Sequence, residues 1–314
     1  MQTKNRKIKF ISYFLCIFLF NLNISADEFD ISAKEIFIDK ENEVVVGTGS
    51  VKAVDSEGKI ITADKITYEK KKEFLLAEGN VKVADLEGNI LETDSSTYDK
   101  INEILTTYGN TKLILKEGYN LKSNNILYNT KEKILSSTEN SVFFDNDGNV
   151  IETSSFQYQI ENNLFSSIGK IKIIDIKKNK YFFKELHVDT KKNEMIGSDV
   201  SVVLDQGNFG VSEESDPRFV ANDILVTKDK SHLSKGVFTI CKKRDGKCPP
   251  WSLKAKKISH DRAKKTIYYE NATLKVYDIP IFYFPKFFHP DPTVKRQSGF
   301  LIPFITNTTA VGSG

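Results

Sequence analysis

Histidine, cysteine and acidic residues are the side chains that could ligate a metal or carry out nucleophilic chemistry, and in this 314-residue chain they are dispersed. His187, His232, His260 and His289 form no pair at metal-ligand spacing, and there is no HExxH. GxSxG, a P-loop and a Cys-His pairing with a local signature are absent as well. Asp64, Asp94, Asp223 and Asp261 fall at turns or strand edges, where capping and solvation account for a carboxylate. The expectation is a protein that is not an enzyme, with no catalytic residues, no metal and no cofactor. The pairing that retains chemical potential is Cys241 with Cys248, with six residues between them. In an oxidising compartment a disulfide is the default for such a pair.

The first residues supply that compartment. Positions 1–9 carry four basic groups and no acid, an apolar run fills 10–20, and Ile24-Ser25-Ala26 offers a cleavage site. The run is shorter than the ~20 residues that span a bilayer, so a signal peptide is predicted over residues 1–26. Cys16 sits inside the run without a small residue just before it, and leaves with the leader rather than anchoring a lipoprotein. Of 45 Lys and Arg the leader takes four, leaving 41 against 42 acids. A near-neutral mature chain has no electrostatic footprint for nucleic acid. No later apolar run has the length of a membrane helix, so renewed membrane contact is expected through β-structure.

The elements that must position these residues follow a 30-residue period. Gly49, Gly79, Gly109 and Gly169 keep it, with Glu139 in the missing slot. Gly58, Gly88, Gly118 and Gly148 keep it as turn residues, and Tyr68, Tyr98, Tyr128 and Tyr158 keep it a third time. Short alternating runs such as Val81-Lys82-Val83 and Ile171-Lys172-Ile173, bounded by Gly, Asn and Asp, are the signature of half-buried strands. One column reads Val45, Leu75, Leu105, Leu135, Phe165, Met195, and two positions on it reads Gly47, Ala77, Thr107, Ser137, Ser167, Gly197. Large apolar beside small, six times over, predicts equivalent strands stacked in register. A second apolar face is expected through Ile36, Ile66, Ile126, Phe156 and Leu186, and Lys52, Lys82, Lys112 and Lys172 form a ladder interrupted by Val142. Each unit should contribute two or three short strands to an elongated all-β body in which no unit buries its own apolar face. Two divergent copies carry the repeat to about residue 277. The columns alone fit both a filled core and an open apolar groove.

Beyond residue 240 the composition changes, and five of the eight prolines lie between Pro280 and Pro303. That density argues against a helix or a central strand. Here the motifs carry a family resemblance: Phe238-Thr239-Ile240-Cys241, Pro250-Trp251-Ser252, Asn271-Ala272, Ile279-Pro280-Ile281-Phe282-Tyr283-Phe284-Pro285 and Arg296-Gln297-Ser298-Gly299-Phe300-Leu301-Ile302-Pro303. Together they resemble the LptD family of lipopolysaccharide-assembly outer-membrane proteins, and the upstream repeats resemble the OstA-type domain that this family shares with the periplasmic bridge protein LptA. The resemblance implies an OstA-type β-jellyroll of stacked 30-residue repeats, leading into the first strand of a transmembrane β-barrel that is cut off at Gly314. The organisation it implies is a signal peptide over 1–26, OstA-like repeats over 27–216, divergent repeats with the cysteine pair over 217–277, a Pro/aromatic connector over 278–299 and the barrel start over 300–314.

By the same resemblance the chain is a lipid conduit that takes lipopolysaccharide from an LptA-like bridge and delivers it into the outer membrane, with an LptE-like plug lipoprotein as a further partner. Candidate groove residues are Val45, Leu75, Leu105, Leu135, Phe165, Ile66, Ile126 and Phe156. Pro303 lacks an N–H and is the candidate barrel gate, where its missing ladder bond would ease strand separation; it also suits a strand start. Family members bridge the FTxC cysteine to the barrel; here Cys241 matches it, the usual N-terminal cysteine is absent and Cys248 is extra. The rival reading is a secreted β-solenoid adhesin or structural protein with a closed core.

For the cysteines, the polar turn over 242–247, with Gly246 for a tight return, favours a local bridge. Non-reducing peptide mapping should return a Cys241–Cys248 peptide; a Cys241 peptide joined to a distant sequence would replace it with the barrel linkage.

Overall fold

The computed structural model describes residues 29–56, 58–116, 118–209, 215–242, 249–290, 294, 307–308 and 312–313. The fold is an all-β jellyroll built throughout from antiparallel pairs, in which long strands that are consecutive in the chain pair with each other. It opens with β1 (Phe29–Ser32), β2 (Glu35–Asp39), β3 (Val44–Asp55), β4 (Ile60–Glu69), β5 (Phe74–Ala84) and β6 (Ile90–Asp99). In the middle the strands are split into halves: β7 (Ile104–Tyr108), β8 (Thr111–Ile114), β9 (Asn120–Ser123), β10 (Leu127–Asn129), β11 (Ile134–Ser137), β12 (Ser141–Phe144), β13 (Val150–Thr153) and β14 (Phe156–Gln159). Long strands resume with β15 (Leu164–Ile174), β16 (Lys180–Asp189), β17 (Glu194–Val203), β18 (Arg218–Val226), β19 (Lys230–Thr239), β20 (Trp251–Asp261), β21 (Thr266–Val276) and β22 (Ile279–Pro290). Asn307–Thr308 and Gly312–Ser313 pair separately.

Alternate long strands carry a bulge at the midpoint, which bends the ladder there. The register slips between Thr48 and Val51, Glu78 and Val81, and Ile168 and Ile171, and left-handed residues occupy the slip, as in Gly79 (φ 76) followed by Asn80 (φ 47). Glycine suits this position twice over. It tolerates positive φ, and at Gly109 a Cβ would stand 2.2 Å from Asp94 Oδ2. That carboxylate accepts the Asn110 N–H at 2.9 Å, and its counterpart Asp64 accepts from the Asn80 side chain at 2.8 Å. Asp64 and Asp94 are thus caps on bulges. The bends divide the sheet into two walls that meet at an apex. Because β6 and β15 run through both walls, the split strands between them close a hydrogen-bonded ring of ten, β6–β7–β10–β11–β14–β15–β13–β12–β9–β8.

The residues beside the apex are small or fully enclosed. On the first wall the pairs Gly47↔Ile66, Ile66↔Ala77 and Ser167↔Leu186 alternate small with large, and Ile66 and Leu186 are completely buried. Burial of each contributes about 1.5–3 kcal/mol. The expected second apolar face is therefore a correction: Ile66, Ile126, Phe156 and Leu186 lie on the same face as the Leu75–Leu105 column, interleaved between its strands, because successive strands antiparallel to one another bring both columns inward. Where the strands split, hydroxyls replace missing ladder bonds. Thr107 Oγ1 accepts the Ile126 N–H at 2.9 Å and receives the Thr111 hydroxyl at 2.9 Å, and Thr111 is joined to Thr93 at 2.9 Å. Ser123, Ser137 and Ser141 repeat the arrangement one unit on.

One further expectation changes. The stretch taken for a Pro/aromatic connector is a strand over Ile279–Pro290, the edge of the sheet, paired with β21; Pro280 and Pro285 are accommodated there because an edge strand can leave N–H positions unpaired. The repeats after residue 216 join the same ladder without a break, as Val202↔Phe219 and Phe219↔Phe238 pairing carries it on.

Thr107→Val keeps the shape of the apex but leaves the Ile126 N–H without its acceptor. Urea unfolding should register a loss of about 1–3 kcal/mol, against about 0.5 kcal/mol or less for Thr62→Val on the outward face.

Candidate functional site

One step from the apex toward the open ends of the walls, the inward side chains are larger and less enclosed. On the first wall a single register row reads Val45, Tyr68, Leu75, Tyr98, Leu105, Tyr128, Leu135, Tyr158, Phe165, Val188, Met195. Tyr68, Leu75 and Phe165 are buried, whereas the consecutive set Tyr98, Leu105, Tyr128, Leu135 and Tyr158 is only half-buried. The slit between the walls is therefore closed at its apex and accessible over the middle of the stack.

The facing row lies on the second wall: Ile61, Val83, Leu91, Leu113, Leu121, Phe143, Ile151, Ile173 and Tyr181 follow one another in register. Sequence reasoning missed this row as a lining. Its signal was the lysine ladder, since Lys82, Lys112 and Lys172 point outward and their neighbours Val83, Leu113 and Ile173 must point in. The ladder itself is partly paired, Lys82 with Glu92 at 3.3 Å and Lys172 with Glu152 at 2.8 Å.

The walls touch through aromatic rings. Phe143 of the second wall meets Phe156 at 4.8 Å and Phe165 at 5.3 Å on the first, both edge to face. Near the N-terminal end Phe29 meets Tyr68 at 5.2 Å. Burial raises the Tyr128 phenol above its ordinary pKa, with the Lys59 charge opposing and Glu87 adding. Lys59 and Glu87 belong to the turns that follow β3 and β5. Buried side chains form two clusters, one spanning Val51 to Val81 and one spanning Leu121 to Ala272. Leu105 lies between them, paired with Tyr98 and Tyr128. At the N-terminal end the slit widens into an open cleft of about 600 Å³ bordered by Ile31, Ile36, Ile38, Val45 and Tyr68, with Lys40, Glu43 and Lys70 at its rim.

All eight candidate groove residues thus fall on inward rows of the first wall. Ile66, Ile126, Phe156, Leu75 and Phe165 are buried, while Val45, Leu105 and Leu135 are half-buried. Cys241 is half-buried and forms no disulfide among the described residues; Cys248 lies outside them, as does Pro303. Ser166, His187 and Glu185 form a hydrogen-bonded trio, with Ser166 Oγ 3.0 Å from Nδ1 and Glu185 2.9 Å from Nε2 of the imidazole. It lies on the outward face at an exposed position.

No family model matches the chain. It is similar to the LPS-assembly protein LptD of Yersinia pestis bv. Antiqua (strain Antiqua), 36% identical over 84 residues, which is 26% of this chain and 10% of that protein. It is similar also to the LPS-assembly protein LptD of Pseudomonas putida (strain GB-1), 28% identical over 125 residues, 38% of this chain and 13% of that protein. The chain therefore matches about a tenth of the length of these relatives, and over that part it is LptD-like. Among solved structures, LptH of Pseudomonas aeruginosa, described as the LptA homologous periplasmic component of a lipopolysaccharide transport device, aligns with a TM-score of 0.31 at 16% identity, covering 34% of this chain and 79% of that one.

Burial separates the two inward rows experimentally. Ile66→Asp places a carboxylate where water cannot reach, at a cost of several kcal/mol, and should abolish the folding transition. Leu105→Asp keeps its charge hydrated in the slit, so the melting transition should survive.

Proposed function

We propose that this chain is a non-enzymatic conduit for lipopolysaccharide, whose acyl chains lie in the slit between the two walls. The observation that supports it is the half-buried run Tyr98, Leu105, Tyr128, Leu135 and Tyr158 above a closed apex, faced by the apolar row of the second wall. Likeness to proteins named for lipopolysaccharide assembly agrees with this reading. Moving several acyl chains through water costs about 0.8 kcal/mol per CH₂, whereas passage from one apolar slit to another exposes no new apolar area. Transfer is then nearly isoenergetic, and direction comes from supply upstream.

The two edges of the sheet fit a relay. At the N-terminal edge, Ile36, Phe37 and Ile38 of β2 are exposed, and an edge strand with free N–H and C=O groups is a template for another strand. An LptA-like bridge would add there. At the other edge β22 leads toward residues 300–314, which would begin an outer-membrane barrel with Pro303 at its seam and an LptE-like lipoprotein as its plug. Residues 27–216 and 217–277 then act as one continuous conduit, and Cys241 and Cys248 hold its C-terminal end, by a local bridge or through the barrel.

The test is photocrosslinking in cells that make lipopolysaccharide, with a probe at Leu105, Leu135, Leu113 or outward Ile196. Adducts should form at the three slit positions and fail at Ile196. Adducts confined to Ile196, or absent everywhere, would return the columns to a closed core of the kind a structural solenoid has.

A further inference from the structure

The charge of this chain is unevenly placed. Residues 251–290 hold eight Lys and Arg against three acids, a net +5, in a chain whose total is +3, so the remainder sums to −2. This stretch is β20 to β22, the last three long strands of the sheet. Its outward face mixes lysine, aromatic and one acid: Lys254, Thr273 and Tyr283 share one register row, Lys257, Glu270 and Lys286 the next, with the carboxylate between two lysines, and Tyr268 stands beside Phe288 in the third. Phe288 is 61% and Tyr283 59% exposed. Lys254, Lys257 and Lys286 form no ion pair among the described residues. A cleft of about 590 Å³ opens among Lys264, Lys286 and Phe288.

An outward sheet face is ordinarily polar, because it meets water. Rings that remain exposed there, on the same face as lysines on long stems, match the chemistry of a bilayer interface, where aromatics settle at headgroup depth and lysines meet phosphates. We propose that the outward face of β20 to β22 docks on the surface of an anionic lipid bilayer. The occupant follows from charge complementarity, since a net +5 over three strands calls for a negative surface. The spread over three strands suits a bilayer better than a single acidic side chain. This face points away from the slit, so the inference goes beyond the conduit reading and does not depend on it.

The exported chain, purified whole, is sedimented with phosphatidylcholine vesicles with and without phosphatidylglycerol, over a salt series. Binding should require phosphatidylglycerol, weaken with salt, and fall about a hundred-fold in the Lys254→Gln, Lys257→Gln, Lys286→Gln triple variant. Tyr268→Ser with Phe288→Ser should weaken it further, while Lys70→Gln, Lys71→Gln, Lys72→Gln at the opposite end of the sheet should leave it unchanged. All sites are exposed, and unchanged melting of each variant verifies folding. Equal binding to neutral vesicles, no binding, or equal loss from the Lys70–Lys72 variant would overturn the proposal. Tighter binding to polyglutamate than to anionic vesicles would overturn it too, assigning the face to an acidic protein. Lipopolysaccharide crosslinking at Leu105, followed in the same variants, reports separately on the conduit.

Discussion

Alternate long strands carry left-handed residues at their middle, such as Gly79 and Asn80 in β5, and the bend this bulge imposes on the ladder turns one continuous sheet into two facing walls. Without it the ladder would be a single twisted sheet with one face in water and no interior. With it, residues two apart on a strand have different fates. Those beside the bend are sealed in the apex, and those one step outward line a slit. The small residues Gly47, Ala77, Thr107 and Ser137 are the steric condition for closing the apex, since a larger side chain at Gly47 would meet Val51 and Ala33 at 3.0 and 3.3 Å. Hydrogen bonding by Thr107, Thr111 and Thr93 then meets the backbone groups that the closure strands.

Stability and access are consequently assigned to different residues of the same face. Ile66 and Leu186 hold the walls together, and aromatic contacts such as Phe143 with Phe156 set how closely they approach. Leu105 and Leu135 contribute less to the core because water reaches them, which is the property a transient apolar ligand needs. The outward faces follow other rules: the lysine ladder pairs with Glu92 and Glu152 in the middle of the stack, and the basic aromatic face belongs to the C-terminal strands.

Much of this was legible from the amino acids. The 30-residue period, the columns through Leu75 and Leu105 and the small residues beside them translate directly into strand register, because a β-stack repeats side-chain positions exactly as often as the chain does. What was not legible depends on geometry that no spacing encodes. The Ile66 column looked like a second face because its phase within the repeat differs, yet an antiparallel neighbour brings it to the same side as Leu75. The facing wall, with Val83, Leu113 and Phe143, was hidden behind the more regular lysines. Pro280 and Pro285 argued against a central strand, and an edge strand satisfies that constraint while still being a strand. Half-burial at Leu105 against full burial at Leu75 is a property of wall separation, and two leucines in equivalent repeat positions cannot disclose it.

The central claim is that acyl chains occupy the slit. Methyl-directed NMR of the purified chain with lipopolysaccharide measures this by intermolecular Overhauser contacts from acyl methylenes to labelled methyl groups. The account predicts contacts to Leu105 and Leu135 on one wall and to Leu113 on the other, with none to outward Ile196. Contacts to Ile196 in place of the three leucines, or a saturated complex without any contact to the slit methyls, would contradict it.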